Sequence, residues 1–253
     1  MPVTVGFGAA APDDKILATV RAVAGRVNLI LFSGPGSVGS FGDGVTVVEA
    51  EEPEAALIKA LAAGRIDAAV RGTLPASTTL KALKQAAGVD HLERIALLET
   101  AGGCLFLLAP VGVDEGWTVE EKVRFVERGR EIARSFGLPE KVAVLSGGRL
   151  GDIGRHPVVD RTMADAELVA RLTGAVHAEI LIEEVPGQYG MVVAPDGVSG
   201  NLIFRTLTFL GNGVGHGAPV VNIDRIFVDT SRASADYTNA VMLAKSLAES
   251  RNP

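Results

Sequence analysis

Residues 192–239 read VVAPDGVSGNLIFRTLTFLGNGVGHGAPVVNIDRIFVDTSRASADYTN. The apolar run Met191–Ala194 stops at Pro195-Asp196-Gly197, a turn signal. Ser199, Gly200 and Asn201 then supply turn and N-cap chemistry for the apolar-periodic segment Leu202–Leu210, which predicts a helix. A glycine cluster (Gly211, Gly213, Gly215, Gly217) leads into a second apolar run, Pro219–Ile223. Asp229-Thr230-Ser231-Arg232 is then expected to open the last helix. Two strand-to-helix junctions thus fall in one short stretch. Each carries hydroxyls and acids where a ligand would meet free backbone N–H groups.

The rest of the chain follows the same grammar. Val3–Phe7, Asn28–Phe32, Val45–Val48 and Ile66–Val70 read as strands, and Asp13–Gly25, Pro53–Ala63 and Leu80–Ala87 as helices. That alternation is the signature of a parallel sheet. It breaks at Ile95–Val111, where two apolar runs flank Ala101-Gly102-Gly103 as in an antiparallel hairpin. The change marks a boundary to a second domain. Beyond it, Thr118–Phe136 and Asp160–Leu172 predict helices, and Val142–Leu145 and Ala178–Ile182 predict strands. Residues 1–97 with 228–253 are expected to form the first α/β domain, and 98–227 the second.

Composition bounds the function. The 253 residues are 47% hydrophobic and 21% charged, enough for a sizeable core. A net charge of −6 argues against a broad nucleic-acid footprint or an anionic membrane surface as partner. No stretch approaches the roughly 18 apolar residues needed to span a bilayer, and the first residues, MPVTVGFG, read as a strand, so a cytoplasmic location is expected. One cysteine, Cys104, excludes a disulfide framework and a thiolate zinc cluster. His156, His177 and His216 lack metal-site spacing, so no metal is expected.

In open parallel sheets ligands bind beyond the carboxyl ends of strands. Four loops qualify: Arg71–Thr79 with Thr73, Ser146–Asp152 with Arg149, Pro195–Asn201, and Asp229–Asp236. Arg71, Arg149 and Arg232 would supply fixed positive charges with the forked geometry that suits phosphate. Thr230 and Ser231 would sit at a helix N-terminus, and Asp236, one turn inside it, could serve as general base. The same residues also fit blander roles: Asp229, Thr230 and Ser231 as caps, Arg71 and Arg149 as solvated charges, Asp196-Gly197 as a turn. The residues themselves point to an anion-binding α/β enzyme.

Residues 192–211, VVAPDGVSGNLIFRTLTFLG, resemble the phosphotransacetylase (phosphate acetyl/butyryltransferase) pattern of strand, Pro-Asp, Gly-Asn and helix. GHGAPVVNIDRIFVDTSRASADYTNAVMLA is similar to that family's last segment, IDAAVRGTLPASTTLKAL to its Asp-x-x-Val-x-Gly segment, and VAVLSGGRLGD to its Val-Ala-x-Leu-Ser loop. The resemblance implies the isocitrate/isopropylmalate dehydrogenase-like fold, two α/β domains with an interdomain cleft, and a homodimer. It implies that Ser231 and Arg232 line a coenzyme A and acyl phosphate site and that Asp236 takes a thiol proton. Asp196, Gly200 and Asn201 would form the cleft loop of the second domain.

The departures are specific. The gap from Arg232 to Asp236 is shortened, Lys81 replaces an arginine, and the Gly-Glu-x-Gln-x-Asp segment is absent from AEILIEEVPGQYG. In its length and its Val-Gly-Phe-Gly start the chain is more similar to the family called methanogenesis marker protein 4 of methanogenic archaea. That family is described as methyltransferases linked to tetrahydromethanopterin. Coenzyme A, coenzyme M or tetrahydromethanopterin is then the expected cofactor, with a small anionic substrate. The alternatives are an acyltransferase using acyl phosphate and coenzyme A, or a non-catalytic binding or assembly factor of a methyltransferase complex.

Overall fold

The computed structural model describes residues 2–41 and 45–251. The chain forms two compact units, residues 1–92 with 217–253, and residues 93–216.

The first unit is built on parallel strands. β1 (Thr4–Gly8) lies between β2 (Asn28–Ser33) and β4 (Ala68–Val70), parallel to both. β3 (Thr46–Glu49) extends the sheet beyond β2, and β11 (Ile226–Asp229) runs parallel to β4 on the other side. β10 (Val214–Pro219) pairs antiparallel with β11 through Ala218 and Pro219. Strand alternation sorts the core into two faces. The Gly6 face meets Leu57 and Ile66, beneath the helix pair α2 (Pro53–Ala62) and α3 (Ala76–Ala87). On the Phe7 face the ring of Phe7 meets Tyr237 edge-on, with centroids 5.4 Å apart, beside α1 (Asp14–Val23) and α7 (Thr238–Arg251). The central strands β1, β4 and β11 are almost wholly buried, which is why they read as continuous apolar runs, whereas β3 at the edge has no buried residue.

In the second unit β5 (Ala96–Glu99) and β6 (Leu105–Ala109) form the antiparallel hairpin expected from Ile95–Val111. β6, β9 (Met191–Val193), β7 (Val142–Val144) and β8 (Val176–His177) follow, each parallel to its neighbour. The helix α4 (Val119–Ser135) opens on a capping box between Thr118 and Glu121 and packs against α5 (Pro157–Thr173). Gly129 in the middle of α4 sits where a Cβ would strike the Met191 sulfur, so the helix rests close on β9. The helix α6 (Gly197–Phe209) packs on β6.

Several expectations are corrected. The last helix opens at Thr238, not at Asp229, because Asp229 ends strand β11 and residues 230–237 form a turn-rich loop. Helix α6 begins five residues before Leu202, at Gly197. Of Ala178–Ile182, expected as a strand, nothing pairs in a sheet; the strand is Val176–His177. The glycine cluster hides a strand, Val214–Pro219. Residues 217–253 group with the first unit, where Ala218 and Pro219 pair with β11.

Candidate functional site

In the first unit the carboxyl ends of β1, β4 and β11 lie side by side. The chain leaves β1 for β2 on one side and later returns to β4 on the other, so β1 and β4 flank a topological switch point. The two loop starts there are tied together. Thr73 N donates to the Gly8 carbonyl (3.0 Å), and Ala10 N donates to Thr73 Oγ1 (2.8 Å). Gly8 and Gly72 permit this approach: Gly72 has φ +60°, and a Cβ on it would collide with the Gly8 carbonyl.

Arg71 is 5% exposed and wholly engaged by the protein. Its Nε donates to Asp229 Oδ1, Nη1 to the Leu74 carbonyl at 2.7 Å, and Nη2 to the Thr230 carbonyl. Thr230 is buried too, its Oγ1 donating to the Gly72 carbonyl (2.9 Å). Arg71, Thr73 and Thr230 therefore knit the three strand ends into one rigid edge. A buried guanidinium that meets a carboxylate and two carbonyls has little left to offer a ligand.

The loop after β11 is different. Ser231 Oγ accepts from Ala233 N (3.2 Å), which leaves its hydroxyl proton uncommitted. Asp236 is exposed and precedes the helix; its Oδ1 accepts from Thr238 N (2.8 Å). Among the described residues the exposed guanidinium of Arg232 makes neither a hydrogen bond nor an ion pair, while Lys15 Nζ donates to the Arg232 carbonyl (3.3 Å). Asp13 caps α1 by accepting from Ile16 N (2.8 Å). This edge thus presents Arg232, Lys15, the Ser231 hydroxyl and the Asp236 carboxylate around a fixed frame.

Tyr237, next in the chain, carries a signal that periodicity does not show. The side chain is 2% exposed, and its hydroxyl has no hydrogen-bond partner among the described residues. Burial pushes the phenol's pKa up; the Asp13 carboxylate adds to that, and Arg71 and Arg232 oppose it.

The second unit holds the remaining candidates. Ser146, 1% exposed at the end of β7, contacts the Gly148 carbonyl (2.9 Å) and His177 Nε2 (2.8 Å). His177 Nδ1 in turn meets Glu167 Oε1 at 2.8 Å. This Ser-His-Glu line joins residues far apart in sequence, and it clasps the glycine-rich loop to β8 and α5. One hydroxyl proton faces two acceptors, so either His177 Nε2 donates to Ser146 Oγ or the Gly148 contact is given up. Arg149 is exposed, with its N–H donating to Asp152 Oδ2 (2.9 Å). Backbone and Arg155 donors hold the Asp152 carboxyl below its usual range.

Asp196 caps α6 through Ser199 N (2.7 Å), and Asn201 Nδ2 donates to the Val111 carbonyl (2.9 Å). A Cβ on Gly200 would strike the Pro110 carbonyl, so the first turn of α6 is pressed onto the Pro110–Gly112 loop. Among the described residues no cluster of three or more His, Cys, Asp or Glu side chains could hold a metal, and no helix is long and apolar enough to cross a membrane.

No family model matches the chain. The protein from Methanosarcina barkeri named "Putative methyltransferase mtx subunit X" is 44% identical over 250 residues, 96% of this chain and 92% of its own length. Its counterpart from Methanosarcina acetivorans is 46% identical over 250 residues, 96% of this chain and 89% of its own. Among solved structures, a branched-chain phosphotransacylase from Enterococcus faecalis V583 superposes with a TM-score of 0.75 at 20% identity, covering 98% of this chain and 99% of that one. A phosphotransacetylase from Streptococcus pyogenes gives 0.75 at 17% identity, over 98% and 94%. The fold is therefore phosphotransacetylase-like.

Proposed function

We propose that this chain, which belongs to the methanogen family of methyltransferase mtx subunit X proteins, is a group transferase of methanogenesis. Its site is the carboxyl edge of the first unit, where it holds an anion-bearing cofactor. One observation carries this reading: Arg232, in the loop that follows β11, has a guanidinium unpaired among the described residues, while the guanidinium of Arg71 is fully engaged. Guanidinium chemistry favours a phosphate, sulfonate or carboxylate oxygen. Coenzyme M, coenzyme A and tetrahydromethanopterin all carry such groups.

In the methyl-transfer reading, Arg232 and Lys15 hold the anionic group and the Ser231 hydroxyl donates to it. Asp236 accepts the thiol proton as the sulfur bonds to the methyl carbon. The methyl–nitrogen bond of the pterin breaks, and its nitrogen ends with the proton. No metal enters this scheme. The relatives are named as a subunit, which supports action within a methyltransferase complex.

The test is turnover of methyl-tetrahydromethanopterin with coenzyme M, run beside acetyl phosphate with coenzyme A. Wild type should turn over the first pair, and Asp236→Asn should lose about two to four orders of magnitude in kcat. Turnover of the second pair alone would replace methyl by acyl transfer. Binding without turnover of either pair would make the chain a carrier or assembly factor.

A further inference from the structure

Native proteins leave few buried polar groups unpaired, because an unmade hydrogen bond keeps its full desolvation cost. The Tyr237 hydroxyl is such a group, and among the described residues it is the buried side-chain donor that lacks a partner. Phenylalanine would fill the same space and keep the edge contact with Phe7 without that cost. A hydroxyl retained there invites the question of what it bonds.

Its surroundings narrow the answer. Tyr237 is anchored to α1, its N–H donating to Thr19 Oγ1 (3.0 Å), while Thr19 Oγ1 donates to the Lys15 carbonyl (2.8 Å). The charges whose fields reach the phenol are Asp13, Arg71 and Arg232. Of the two arginines, only Arg232 is unpaired among the described residues, and Lys15 is bonded to its carbonyl. Asp13 is committed to capping α1. A neutral O–H donor on the same loop as Arg232, whose guanidinium is unpaired among the described residues and whose charge acts on the phenol, suits an anionic oxygen that Arg232 holds.

We infer that the Tyr237 hydroxyl is a specificity-determining donor that completes its hydrogen bond on an anionic oxygen, phosphate or sulfonate, held by Arg232 at the carboxyl edge of the first unit. This rests on the functional reading above and adds to it. The phenol is buried in the free protein, so the ligand reaches it only as the residues that cover it yield. The donor also sets a selection rule: a ligand arm ending in an amine or methyl group leaves the phenol unpaired and binds more weakly.

The full chain as wild type, Tyr237→Phe and Arg232→Ala is titrated with inorganic phosphate, coenzyme A and coenzyme M, and each free protein is melted. A phosphate-only response against a coenzyme M response distinguishes the two oxyanions. Tyr237→Phe should melt no lower than wild type when free, yet bind the anion about tenfold more weakly, the scale of one hydrogen bond to a charged acceptor. If wild type binds and Tyr237→Phe binds equally well, the inference is overturned and the functional reading stands. A lower melting point in free Tyr237→Phe with unchanged binding also overturns it, since the hydroxyl then has a structural partner. If wild type binds none of the three probes, or Arg232→Ala binds as tightly as wild type, the functional reading fails and the inference falls with it.

Discussion

The two units end their parallel strands in loops that treat polar side chains differently. In the second unit the candidate polar groups at the strand ends, apart from the exposed Arg149 side chain, are spent on the protein: Ser146 on Gly148 and His177, Asp196 on Ser199, Asn201 on Val111. In the first unit a frame of the buried Arg71 and Thr230 and the half-buried Thr73 supports a loop whose Arg232 and Tyr237 hydroxyl are unspent among the described residues. Satisfied polar groups hold loops in place, whereas unsatisfied ones beside a rigid frame are available to a ligand. The contrast between Arg71 and Arg232 is the sharpest instance, because one residue type plays both parts within one site.

The comparison can be broken at several points, ordered by expected effect. Arg71→Met takes the guanidinium from the buried Asp229 carboxylate and from the Leu74 and Thr230 carbonyls, and should cost about 3–5 kcal/mol in urea unfolding. A cost below about 1 kcal/mol would mean that Arg71 does not hold the frame. His177→Leu removes the clasp between the Ser146 loop and α5, and should cost about 1–3 kcal/mol while leaving anion binding unchanged. Weakened anion binding in this variant would show that the second unit's polar line is not merely structural.

Glu115 tests the cost of burial in the second unit. Burial pushes its carboxyl above the ordinary value of 4.5, against the pull of Arg94, to which it is bonded at 2.6 Å. The folded state therefore holds that proton more tightly than the unfolded chain does. Its contribution to stability is largest below the ordinary carboxylate range and declines as pH rises through the raised value. Glu115→Gln should flatten that segment of the urea-midpoint profile; an unchanged slope would assign the decline to other groups. The smallest stability effect belongs to Arg232→Ala, within about 0.5 kcal/mol of wild type. A larger loss would reveal a structural role for the guanidinium and erase the contrast with Arg71.

Much of the architecture could be read before any coordinates. Buried parallel strands appear as apolar runs such as Asn28–Phe32 and Ile66–Val70, and the hairpin at Ile95–Val111 announced itself by losing the intervening helix. The elements that escaped are those whose residues answer to neighbours. Val214–Pro219 is a strand despite its glycines and proline, because sheet pairing outweighs weak local preference. The first turn of α6 contains Gly197 and Gly200, poor helix formers that are there because a Cβ at either position would strike the Pro110–Gly112 loop. The N-cap chemistry at Asp229–Arg232 suggested a helix start, but Asp229 serves Arg71 in a strand end, and the helix waits until Thr238.

By itself, then, the sequence determined the α/β class, the positions of most strands and helices, and the loops in which a site should be sought. Those properties follow from local periodicity and turn chemistry, which neighbouring residues carry among themselves. Only the tertiary structure decided that Arg71 is a brace, that His177 belongs with Ser146 and Glu167, and that among the described residues the Arg232 guanidinium and the Tyr237 hydroxyl have no partner. Whether a polar group is satisfied depends on partners as far away as Thr230 is from Arg71, 159 positions along the chain, and local sequence does not encode that distance in space.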